Sequence, residues 1–170
     1  MVITQIEDGE TKEAVAREVL AALPEWFGIP EAVEEYVLTS QGLPFWAAFA
    51  FSEERKAKDT SFLEEARAGA KALGFIVLKE TSPATAEIYV MGVLPEWHRK
   101  GVGRSLFEAL REYAREQGYS FLQVKTVQEG HYPEYDRTNQ FYKGVGFQEL
   151  ECFPTLWGEK NPCQIFVMAL

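Results

Sequence analysis

Cysteine and histidine are both scarce in this chain: Cys152, Cys163, His98 and His131 are all it has, and their spacing makes no paired zinc-type site. No metal is therefore expected, and two thiols cannot build a disulfide framework, so both read as ordinary buried or half-buried side chains. Basic residues are few as well, 17 against 26 acidic ones, for a net charge of -9. That balance repels phosphate backbones and argues against nucleic acid as the main partner, while a cationic small molecule or basic peptide would be attracted. An acidic surface also simply keeps a protein in solution. The opening MVITQIEDGE has neither a basic start nor an apolar run, and no later stretch approaches membrane-spanning length. The expectation is a cytoplasmic protein with no membrane partner. Repeats and low-complexity segments are missing too.

What is present is a chain of 170 residues, 46% hydrophobic, enough for one domain over residues 1–170 with a single core. Met1–Ile6 alternates as a half-buried strand, and Val15, Val19, Leu20 and Leu23 recur at helical spacing between a capping Thr11 and a terminating Pro24. Pro30 suits the first turn of a second helix running towards Gly42. Leu43–Phe51 and Gly74–Lys79 read as partner strands. The span 52–73 between them, with a capping-box pattern at Ser61 and Glu64, predicts a helical insertion. A strand over Ala86–Leu94 follows, in which Gly92 suggests a bulge. Then come a helix over Arg104–Gln117 stopped by Gly118, a strand over Phe121–Val127, a short helix over Arg137–Gly144 and strands over Phe147–Phe153 and Gln164–Leu170.

The informative unit is the crossover of strand, loop 95–103, helix and strand. A glycine-bearing loop at a helix N-terminus offers unsatisfied N–H groups and the positive end of a helix dipole to an anion. Gly101 and Gly103 clear side chains from the backbone, and Arg99, Lys100 and Arg104 add positive charge. A pyrophosphate is the natural guest. Two glycines are too few for a dinucleotide-binding fingerprint, and no Gly-Lys-Ser/Thr ends the loop as a P-loop requires.

The run VLPEWHRKGVGRSL, from Val93 to Leu106, resembles the coenzyme A-binding motif of the GNAT acetyltransferase superfamily, R/Q-x-x-G-x-G/A, with His98 in place of Arg or Gln and with Val102 and Ser105 inside the matching stretch. QFYKGVGF, from Gln140 to Phe147, resembles that family's second hallmark, a helix bearing Tyr followed by Gly-Phe entering a strand. Strand and helix order agree with the family along about the whole chain apart from the insertion. The resemblance implies an α/β fold: a mixed, mostly antiparallel sheet, a splayed parallel pair formed by the fourth and fifth strands, and helices on both faces. It also implies an acetyl-CoA-dependent N-acetyltransferase acting on an amine by direct transfer. The other class kept open is a non-catalytic acyl-CoA-binding sensor of the same fold, and O-acyl or longer-chain transfer is a third reading.

By the same resemblance, backbone groups from Met91 to Val93 would face the pantetheine and thioester, and Tyr142 would protonate the departing thiolate. Asp136 stands where the family often carries a cofactor-contacting Asn, with Asn139 one helical turn away. Glu87 occupies the general-base position of the histone-acetylating branch, and an apolar cleft around it would favour proton uptake. His131, in the loop after the fifth strand, is the other candidate base because histidine titrates near neutral pH. The acceptor pocket would draw Trp26, Phe27, Glu31, Glu34, Glu35 and Tyr36 from one side, and Glu129, His131, Tyr132, Glu134 and Tyr135 from the other. Aromatic faces with carboxylates suit an ammonium, and core packing with plain solvation is the structural alternative. The insertion would cover that pocket or form the edge of a homodimer.

Overall fold

The computed structural model describes residues 1–50 and 71–170. The elements run β1 (Val2–Ile6), α1 (Gly9–Ala21), α2 (Pro30–Ser40), β2 (Phe45–Phe49), β3 (Ala72–Ser82), β4 (Thr85–Val93), a 3-10 turn (Pro95–Trp97), α3 (Val102–Glu116), β5 (Phe121–Val127), α4 (Pro133–Val145), β6 (Gln148–Phe153) and β7 (Cys163–Ala169). The strands form one seven-stranded sheet in the order β1-β2-β3-β4-β5-β7-β6. β4 and β5 are parallel; the pairs β1/β2, β2/β3, β5/β7 and β6/β7 are antiparallel. This is the mixed, mostly antiparallel α/β architecture that the motifs implied. The parallel ladder joins Thr85–Ile88 to Phe121–Val124, and both strands run on beyond their last pair. Two compact units make up the chain, Met1–Val77 with Val90–Leu110, and Leu78–Tyr89 with Arg111–Leu170. Among the described residues no helix is long and apolar enough to cross a membrane.

In the first unit, α1 starts earlier than expected because Asp8, not Thr11, caps it. The Asp8 carboxylate accepts from the Thr11 amide at 2.8 Å and from its hydroxyl at 2.5 Å. Val15, Ala16, Val19 and Leu20 form the buried stripe. Lys12, on the same helix face as Val15, Ala16 and Val19, is buried: its Nζ donates to the carbonyls of Gln41 at 3.0 Å and Leu43 at 2.7 Å, just past the end of α2. A cation at a helix C-terminus is favourably placed, and each carbonyl left unpaired without it would cost about 1–3 kcal/mol. Burial lowers the Lys12 pKa, while Glu7 and Asp8 pull the other way. β2 is buried at all five positions, so both of its faces are covered, which is why it shows no polar alternation. Close approach explains two glycines. A Cβ on Gly74 would stand 2.6 Å from the Gly92 carbonyl oxygen, and one on Gly92 would stand 2.9 Å from Val19 and 3.1 Å from Leu23. Gly92 thus admits α1 against β4, the strand that runs from Thr85 to Val93.

In the second unit, Gly118 (φ +82°) stops α3 as its spacing predicted, with Tyr119 N donating to Ala114 O. The Tyr119 hydroxyl donates to Glu80 at 2.7 Å. Burial first, and then Glu80, push its pKa up to about 12. The folded value lies above the usual tyrosine value of about 10, so this group's contribution is whole below that pH and is lost as pH rises towards 12. Denaturant titrations should show stability falling across that window, and Tyr119→Phe should flatten the fall; an unchanged slope would remove Tyr119 as its source. β5 has the bounds read from the sequence, whereas α4 begins at Pro133 rather than Arg137. Glu134, Tyr135 and Asp136 therefore belong to a first helical turn, with Pro133 at its start. Ala72 and Leu73, assigned by sequence to the insertion, belong to β3. Ser61, Glu64 and the helix expected around them lie outside the described residues.

Candidate functional site

The glycine loop leaves β4 by a 3-10 turn. Trp97 N donates to Leu94 O at 2.8 Å and His98 N to Pro95 O at 3.1 Å. His98 Nε2 then donates to the carbonyl of Val93 at 2.7 Å, and its ring meets Trp26 edge-on at 5.8 Å. The histidine in the motif's first position thus braces the loop against the end of its own strand. Arg99 (φ 58°) and Gly101 (φ 84°) both take left-handed backbone, which alternates the direction of successive amides. The first α3 bond runs from Ser105 N to Gly101 O at 3.0 Å, so the amides of Val102 and Gly103 precede the helical ladder. A side chain on Gly101 would enter open space, and Arg99, Lys100 and Arg104 are exposed around it. Lys100 lies over the Trp97 ring, its Nζ 4.9 Å from the centroid. Unspent amides, a helix N-terminus and three cations fit a diphosphate. Met91 and Val93 are half-buried at the end of β4.

In the second unit the sheet carries a polar cluster. Glu87 is buried, opposite Gln123 in the parallel register, with Lys125 two residues further on the same face of β5. Gln123 Nε2 donates to Glu87 Oε2 at 2.7 Å, and Lys125 Nζ forms a short ion pair with the same oxygen. Glu87 therefore sits in an ion-paired, hydrogen-bonded pocket and not in the apolar cleft expected for it. The sequence reading passed over Lys125 and Gln123, although alternating polar residues in a strand expected to be interior were the available signal. Cys163 is buried at the start of β7, and desolvation pushes its thiol up to about 11. Cys152 is half-buried, and both thiols are free.

Tyr142 and Asn139 are both buried on α4. The Tyr142 ring packs among Phe141 at 5.5 Å, Phe147 at 5.8 Å and Phe166 at 6.4 Å. Gly146 (φ 107°) ends the helix, and Phe147 N donates back to Tyr142 O at 3.0 Å, so the Gly-Phe of the second motif is a left-handed helix stop. Asn139 Nδ2 donates to Val127 O at 2.9 Å and Tyr135 O at 2.8 Å, tying α4 to the end of β5. Its Oδ1 and Thr126 Oγ1 are the buried side-chain atoms with no hydrogen-bond partner among the described residues. Asp136 instead accepts from the Gly130 amide at 2.7 Å and shapes the turn before α4. His131 is exposed, its Nδ1 3.2 Å from Gln128 O.

The two segments expected at the acceptor pocket are distinct in character. Trp26 and Phe27 are half-buried, with Phe27 edge-on to Tyr36 at 5.9 Å. Glu34 is engaged by Arg17 through two bonds of 2.6 and 2.7 Å, which hold its pKa down, and Glu31 and Glu35 are exposed. In the other unit Tyr132 and Tyr135 lie 6.1 Å apart, and Glu129 pairs with Lys143 at 2.8 Å. Glu34 and Glu129 are thus each paired, at the surface, with a cation of the chain itself.

Residues 20–147, well over half the chain, match the model of the acetyltransferase (GNAT) family. The chain is 29% identical over 108 residues to the N-alpha-acetyltransferase RimI of Mycobacterium tuberculosis, a match covering 62% of this chain and 63% of that relative. It therefore spans less than two thirds of that relative's length. Among solved structures, a GNAT-family protein from Desulfovibrio desulfuricans superposes with a TM-score of 0.72 at 17% identity, covering 99% of this chain and 98% of the other. A GNAT family acetyltransferase from Elizabethkingia anophelis with acetyl-CoA bound gives 0.69 at 16% identity, over 99% and 97% of the two chains. The glycine loop, the tyrosine helix with its left-handed stop and the family match converge: this chain belongs to the GNAT family of acetyltransferases.

Proposed function

We propose that the protein is an N-acetyltransferase that passes the acetyl group of acetyl-CoA directly to an amine of a small molecule or a peptide. The observation that carries this reading is the pair of amides, Val102 and Gly103, ahead of the first α3 bond, beside an open Gly101 and ringed by Arg99, Lys100 and Arg104. Those groups would hold the diphosphate of the co-substrate. When bound, acetyl-CoA supplies an acyl carbon already activated as a thioester. The chain's own task is proton traffic, since the amine loses a proton as its bond to carbon forms and the sulfur gains one as the carbon–sulfur bond breaks. Glu87 takes the first proton and Tyr142 returns the second. Glu87 is favoured over His131 because its carboxylate is held by fixed donors on neighbouring strand residues, whereas His131 is exposed on a loop.

A panel of spermidine, an aminoglycoside, free amino acids and peptides with a free N-terminus, assayed for thiol release from acetyl-CoA, tests the reading. At least one amine should raise the rate above that with water alone. Tight acetyl-CoA binding that no amine converts into faster thiol release would instead make the protein an acyl-CoA binder, and calorimetry without binding heat would remove the site altogether.

A further inference from the structure

Glu87 presents its two oxygens very differently. Oε2 receives both the Gln123 amide and the Lys125 ammonium, while Oε1 has no hydrogen-bond partner among the described residues. Oε1 is also absent from the unpartnered atoms that are wholly shut away from solvent, so it is reachable. The Glu87 side chain as a whole is only 10% exposed, and that of Lys125 30%. A carboxylate free to rotate would offer both oxygens to water; here two donors converging on one oxygen fix the plane and leave the other as the single open acceptor.

We infer that Lys125, with Gln123, is a positioning residue of this acetyltransferase, holding Glu87 so that Oε1 alone receives the proton of the incoming nucleophile. The inference rests on Glu87 being the proton acceptor proposed above. It also assigns a reason for a cation in the interior of the sheet. A buried charge pair contributes little stability over an apolar pair of the same volume, but a carboxylate fixed within tenths of an ångström is what proton transfer needs. Lys125 also neutralises Glu87, so the cluster does not gather a protonated ammonium by net charge and leaves an uncharged nucleophile on equal terms with it.

Water can serve as the nucleophile, which makes the test independent of the acceptor amine. Water's oxygen bonds to the acyl carbon, its proton passes to Oε1, the carbon–sulfur bond breaks and the thiolate takes up a proton. Thiol release from acetyl-CoA alone is followed for the wild type, Glu87→Gln, Lys125→Met, Lys125→Arg and the double variant Glu87→Gln/Lys125→Met, with a thermal melt of each. Lys125→Met should lower the maximal rate about tenfold with KM for acetyl-CoA within about twofold, and Lys125→Arg should recover most of the loss. The double variant should be no slower than Glu87→Gln, since a positioning residue has nothing to position once the carboxylate is gone. Should Lys125→Met melt below the assay temperature, Gln123→Met keeps the ion pair, removes the second donor and should slow release about threefold. A full rate in Lys125→Met or, in its stead, Gln123→Met, together with a slow Glu87→Gln, overturns the positioning role and leaves the base in place. A full rate in Glu87→Gln overturns the base and this inference with it, as does a wild type that releases no thiol.

Discussion

Tyr142→Phe is expected to lower amine-dependent thiol release about a hundredfold while acetyl-CoA affinity stays within about twofold. The substitution takes one hydroxyl from a buried ring that keeps its contacts with Phe141, Phe147 and Phe166, so a thermal melt should show the variant still folded at the assay temperature. Tyr142→Ala would be uninformative by comparison, because emptying that aromatic cluster costs about 3–5 kcal/mol and mixes unfolding with lost chemistry. Loss confined to the maximal rate is the signature of a group that acts only as the sulfur departs. Full turnover in the phenylalanine variant would return Tyr142 to the core, where its burial alone already gives it a place.

Gly101→Val should weaken acetyl-CoA binding about a hundredfold by calorimetry. The backbone there stands at φ 84°, where a β-branched residue is strained by about 1–2 kcal/mol, and the added Cβ enters the open space beside the unspent amides. If the loop keeps its shape the side chain stands where phosphate must sit; if it relaxes, the amides turn away. Gly118 supplies a matched control: its φ is 82°, its Cβ would also meet nothing within 4 Å, and it lies at the opposite end of α3. Gly118→Val should cost similar stability with no change in affinity. Equal affinities in both variants would disconnect the glycine loop from the cofactor.

Much of this could be read before any coordinates, for reasons that differ by residue. Phe121–Val127 is an interior strand bounded by Gly118 on one side and a polar stretch on the other, and its limits came out as read. Pro30 and Gly118 mark helix ends through backbone chemistry that is local and therefore legible. Asp8 as the cap of α1 was hidden in the polar run Glu7–Glu10, where several residues could cap and only three-dimensional geometry chooses. The first turn of α4 was missed because its polar and aromatic residues gave no apolar period, although Pro133 was there to start it. The pairings of Lys12 and Lys125, though not the polar residues themselves, were hidden for another reason. Each is defined by partners 29 to 38 positions away, and no local pattern reports such a pairing. The loop was found because its chemistry is contiguous; the cluster around Glu87 was half found because its chemistry is not.

Arg99 adopts left-handed backbone without being glycine, asparagine or aspartate, so its own preference opposes the shape it takes. The turn must be dictated by what surrounds it, including the His98 bond to Val93 and the start of α3. A conformation imposed in this way is in place before any guest arrives. Little ordering entropy is then left to lose on association, and a modest number of main-chain contacts can yield useful affinity.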